Sequence, residues 1–88
     1  MAYVAVDASD TYIYALFCGA CSREDRLPNV VHVFTWDGVF VGELELDRRV
    51  KTIAVAPDDS LLFGAVEEPV PQVGIWEIPS VVPRSHRM

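Results

Sequence analysis

Apolar residues along this chain fall into short runs of strand length, with polar punctuation between them. Residues 2–7 (Ala-Tyr-Val-Ala-Val-Asp) form a β-prone run that stops at the turn-formers Asp7, Ser9 and Asp10. Residues 11–18 are apolar on both alternating sets, Tyr12, Tyr14 and Leu16 against Ile13, Ala15 and Phe17, the pattern of a strand covered on both faces. The polar, charged stretch 19–29 predicts a loop, and strand signal resumes over residues 30–36. Asp37-Gly38 between Trp36 and Val39 predicts a two-residue type I′ hairpin turn, because Asp tolerates positive φ and Gly accepts it freely. That turn sets Thr35 opposite Phe40 and Phe34 opposite Val41. The outgoing strand is amphipathic, Phe40, Gly42, Leu44 and Leu46 on one face and Val41, Glu43, Glu45 and Asp47 on the other, as expected of an outermost strand with one wet face. No stretch longer than ten residues carries a 3.6-residue apolar period, so no helix is expected.

The chain also repeats itself. Residues 3–15 lie on residues 52–64 at a constant offset of 49, apolar on apolar, with acids before a hydroxyl residue in both turns. Val31-His32-Val33-Phe34-Thr35 lies on Val73-Gly74-Ile75-Trp76-Glu77 at an offset of 42, the difference being the shorter second loop at residues 67–71. The second copy stops at Ile78-Pro79 without a fourth strand of its own, for which Ser80-Val81-Val82 is the candidate. The repeating unit is thus four short antiparallel strands in about 40–50 residues, the size of a β-propeller blade. The expected architecture is all-β: two antiparallel sheets, four strands plus three, spanning residues 1–79. Blade one covers residues 2–47, an incomplete blade two covers 51–79, and residues 80–88 form a tail expected to be disordered beyond Pro83.

Val33-Phe34-Thr35-Trp36-Asp37-Gly38, Val41-Gly42-Glu43-Leu44, and the run Ile53-Ala54-Val55-Ala56-Pro57-Asp58-Asp59-Ser60-Leu61-Leu62-Phe63 resemble the TolB-like, NHL-like group of six-bladed propellers. The resemblance covers about 75 of the 88 residues. Trp36-Asp37 is also similar to the signature dipeptide of WD repeats. The repeat register, however, sets it two residues late, in the hairpin turn, and no Gly-His pair precedes either blade. A propeller closes at about four to eight blades. Alone, the chain would leave bare the flat sides of its sheet pair, where Tyr12, Ile13, Tyr14, Phe17, Leu62 and Phe63 expect neighbours. The neighbours are either the remaining blades of a parent chain or further copies; three copies would give the six blades that the resemblance implies. A stable monomer is not expected.

Charge narrows the partners. Thirteen acids against seven bases give a net charge of −6, which repels nucleic acid and anionic membrane at long range. The longest charge-free stretch, residues 11–22, is well short of the roughly 20 apolar residues of a spanning helix. No basic region precedes the first apolar run, so the expected compartment is the cytoplasm, or the periplasm if the chain is a piece of a secreted parent. Two cysteines cannot make a disulfide framework.

Candidate chemistry is sparse. In a propeller the loops at residues 19–29, 47–51 and 67–71 share one face, and five of the seven bases lie there. Arg23, Glu24, Asp25, Arg26, Arg48, Arg49, Lys51, Glu67 and Glu68 form the expected binding rim of mixed charge, for a protein or small ligand. Cys18 and Cys21 have Cys-x-x-Cys spacing but follow a strand with no helix to lower a thiol pKa, and a structural zinc needs four ligands; both are expected as ordinary thiols. His32 is expected as a packed strand residue, and Asp58-Asp59 after Pro57 as turn acids that bond the backbone. No nucleophile elbow, phosphate-binding glycine loop or calcium loop is present, and no cofactor is implied. The expected function is a non-enzymatic binding or assembly module. The alternatives are a propeller-type hydrolase, lactonase or lyase with an axial metal, or a functionless fragment of a larger propeller.

Overall fold

The computed structural model describes residues 2–18, 27–67 and 69–88. Strands β1 (Ala2–Ala8), β2 (Tyr12–Cys18), β3 (Val30–Thr35) and β4 (Phe40–Glu45) form an antiparallel meander, and β5 (Ile53–Val55), β6 (Leu61–Val66) and β7 (Gln72–Glu77) form a second one. The chain is therefore all-β among its described residues, with two sheets and neither closed into a barrel. The sheets stack face to face over a core of Tyr14, Leu16, Val31, Val33, Leu44, Leu46 and Val50 from the first half and Ile53, Leu62, Val66, Trp76, Ile78 and Val82 from the second. At the first strands the sheets also meet through hydrogen bonding, where the Val55 amide donates to Asp7 Oδ2 at 2.8 Å.

The strand count differs from expectation by one. Residues Ser85–Arg87 form β8, which pairs in parallel with β4, so the sheets hold five strands and three instead of four and three. The tail is thus ordered, and it joins the first sheet instead of completing the second. Its anchors are apolar and backbone groups that the short basic sequence hides: Val82 is buried in the core, the Glu43 amide donates to Arg84 O, and the Met88 amide donates to Glu45 O. Gly42 makes room for this. A Cβ there would collide with the Pro83 carbonyl oxygen, a backbone atom that cannot swing aside. Consequently β4 is not the wet outer strand its pattern suggests; Glu45 is half-buried and pairs with Arg87 at 3.5 Å.

The hairpin register also shifts. Gly38 has φ +88° but Asp37 does not take positive φ, and the Gly38 amide donates to Thr35 O while the Thr35 amide donates to Val39 O. This is a three-residue loop with glycine in the left-handed position, which sets Phe34 opposite Phe40. The ladder then skips Val41, pairing Val33 with Gly42, a bulge that puts Phe40 on the opposite face from Leu44. The repeat itself is visible in the pairing: Tyr12↔Thr35 and Leu16↔Val31 in the first sheet match Leu61↔Glu77 and Ala65↔Val73 in the second at offsets of 49 and 42. The constant offset fails only at the first strand. The Ser9 amide bonds Tyr12 O in one copy and the Ala56 amide bonds Leu61 O in the other, so the second turn is two residues longer and β5 is displaced accordingly.

Candidate interaction surfaces

Four surfaces could carry function: the two ends of the stack and the two outward sheet faces. At the expected loop end, Arg48, Arg49, Lys51 and Glu67 are described, while Arg23, Glu24, Asp25, Arg26 and Glu68 lie outside the described residues. The described cations there, Arg48, Arg49 and Lys51, have partners within the chain. The Arg48 guanidinium lies 5.0 Å from the centre of the Trp76 ring and 3.6 Å from Asp47, whose Oδ1 accepts the Trp76 indole N–H at 2.9 Å. Arg49 Nη1 donates to Leu27 O at 2.6 Å, and Lys51 pairs with Glu67 at 3.0 Å. The 46–52 segment is laced to its neighbours by Leu46 N to Asn29 O, Val50 N to Pro28 O and Lys51 N to Ala65 O. The sequence marked these positions by charge; it did not mark Trp76, around which Asp47 and Arg48 gather.

At the opposite end, a cavity of about 600 Å³ opens between the two short turns, lined by Tyr12, Tyr14, Asp58, Asp59, Ser60 and residues 77–80 among others. Asp59 sits at φ 63°, in the left-handed region that Asp tolerates better than most residues. Its Oδ1 accepts the hydroxyl of Ser9 at 2.5 Å and that of Tyr14 at 2.7 Å, joining the two sheets. Burial, and then the hydrogen bond to Asp59, push the Tyr14 phenol well above its ordinary 10.0. Asp58 is a turn acid: its carboxylate accepts from the Ser60 hydroxyl and amide, which hold its pKa below the usual value. Asp58 thus bonds its own turn backbone, as expected, whereas the Asp59 carboxylate differs from expectation in bonding two hydroxyls of the other sheet. Cys18 differs from expectation in being disulfide-bonded; Cys21 lies outside the described residues.

The outward faces have another character. On the large sheet, Phe17 stacks on His32 with centroids 4.5 Å apart, and Tyr3, Phe34 and Phe40 pack edge-on around the imidazole. His32 Nε2 lies 3.4 Å from Glu43 Oε1, and Nδ1 lies 2.8 Å from the Tyr3 hydroxyl. A proton on Nε2, facing the carboxylate, leaves Nδ1 to accept from tyrosine. This His is a packed residue, as expected. Tyr3, Val6 and Phe40 remain 45%, 62% and 42% exposed. On the small sheet, Ala54, Phe63, Ala65, Val73 and Ile75 form an apolar face with a shallow hollow of about 200 Å³, and Val73 and Ile75 are 65% and 58% exposed. Of the six residues expected to seek neighbours, Tyr12, Tyr14 and Leu62 instead pack between the two sheets, whereas Ile13, Phe17 and Phe63 lie outward.

The repeat relates these faces. Tyr14, Leu16, Val31 and Val33, which the large sheet turns toward the core, correspond to Phe63, Ala65, Val73 and Ile75, which the small sheet turns outward. Conversely, Leu62, Val66 and Trp76 on the small sheet's core face correspond to Ile13, Phe17 and Phe34 on the large sheet's outward face. Equivalent positions face the same way along the stack, so the joint is front to back. No family model matches the chain, and no curated protein matches it either.

Proposed function

We propose that the chain is a non-enzymatic assembly module of β-propeller type: two successive blades whose outward faces pack on further blades, with the loop end left to contact a protein or small ligand. One observation carries this reading, the front-to-back equivalence of the covered and uncovered faces. A stack built this way has no natural end, because each added sheet presents the same front that the last one did. The resemblance to TolB-like and NHL-like propellers supports a ring of six such sheets. The exposed apolar residues on both outward faces support packing against something, since monomers rarely leave such patches bare.

An environment-sensitive apolar dye tests this directly. At a dilution where the chain is alone, dye fluorescence should rise on binding, and Val73→Asp with Ile75→Asp should weaken it while circular dichroism stays unchanged. A dilute, folded chain that binds no dye would overturn the reading, because its outward faces would then not be sticky.

A further inference from the structure

We infer that the blades that cover the two outward faces are other copies of this same chain, docked so that the small sheet of one copy seats on the large sheet of the next. The inference rests on the module proposed above and names its partner. The joint it requires continues one that already exists inside each chain. In that joint the large sheet presents Tyr14, Leu16, Val31 and Val33. The small sheet's outward face repeats the set almost in kind, as Phe63, Ala65, Val73 and Ile75, apolar for apolar and ring for ring. The receiving side repeats as well: the slot that Trp76 fills in the internal joint is filled by Phe34 on the large sheet's outward face.

Such a contact is heterologous, one face of each kind per joint. Heterologous contacts close into rings when the rotation fits and otherwise grow without limit. At two sheets per chain and about four to eight sheets per closed ring, the assembly holds two to four copies. The net charge of −6 opposes association at long range, so the apolar faces must supply the attraction.

Complementary variants test this. One carries Val73→Asp with Ile75→Asp, which blocks the small-sheet face; the other carries Val6→Asp with Phe40→Asp, which blocks the large-sheet face. Each alone should give a folded, single-chain species by light scattering. Mixed one to one, they should form a species of two chains and no larger, since one joint survives. Circular dichroism checks that both fold, and Ile75→Thr, a β-prone polar change, serves as the milder variant if the aspartates unfold the sheet; it should lower the assembly's mass at a given concentration. Either blocked variant keeping the unaltered chain's mass, or a mixture that stays single while the unaltered chain associates, would overturn the inference. An unaltered chain that is monomeric yet binds apolar dye would sink only the choice of partner; a monomer that binds no dye would sink the module reading with it.

Discussion

The Ser9 and Tyr14 hydroxyls both donate to one oxygen of Asp59, across a sequence separation of 50 and 45 residues, and with Asp7 they pin the turn ends of the two sheets together. Asp59 also occupies the left-handed region, so its side chain and its backbone are both constrained. Asp59→Asn keeps an acceptor and tolerates the φ, whereas Asp59→Ala loses the acceptor and adds roughly 1 kcal/mol of backbone strain. Tyr14→Phe removes a hydrogen bond to a charged group and should cost about 1.5–3 kcal/mol at neutral pH, read by urea unfolding. The same pair predicts a pH dependence. The folded chain holds the Tyr14 proton more tightly than the unfolded chain does, because burial and Asp59 disfavour the phenolate. Its stabilisation is therefore fully present below the ordinary tyrosine value of 10.0 and declines as pH rises above it. The stability gap between the unaltered chain and Tyr14→Phe should shrink in unfolding curves taken at about pH 11; a gap that widens would contradict this account.

Among the elements, β8 is the least expected and the most instructive. Nothing in Ser85-His86-Arg87 alternates like a core strand, and its ladder is short, pairing with Glu43, Leu44 and Glu45. It forms because Val82 is pulled into the core and Gly42 lets the Pro83 carbonyl pass close over β4. Gly42→Ala should therefore release residues 83–88, read as faster amide exchange at Met88 and Glu43, while β5 to β7 keep their protection. Unchanged exchange at those amides would mean the tail does not depend on that close approach. The central strands were legible because their apolar runs are long and their spacing repeats. The tail was not legible, because its contacts depend on a glycine forty residues away. The hairpin was half legible: Asp37-Gly38 announces a turn, but two-residue and three-residue loops both place Gly at positive φ, and only the Thr35 and Val39 bonds decide between them. The longer second turn was hidden in a similar way, since sliding a three-residue strand by two leaves its in-and-out pattern unchanged.

For the whole molecule, the repeat was readable in sequence, but the matching of covered to uncovered faces needed the stacking direction. Charge drew attention to the loop end, where Arg48, Arg49, Lys51 and Glu67 prove to be tied to Trp76, Leu27 and one another. The outward faces are mostly apolar, with Glu43 paired to His32 on the large sheet and Glu77 at the margin of the small one, and their need for cover was foreseen only through the shortage of blades. Two sheets joined front to back leave one front and one back bare, and the residues on those faces are the repeat's own counterparts of the internal joint. The most direct test is the absolute mass of the unaltered chain in solution, by size exclusion with light scattering over a range of concentrations. A discrete species of two to four times 9.8 kDa is expected, giving way to single chains only at the lowest concentrations. A well-folded species of one chain at every concentration would contradict that expectation.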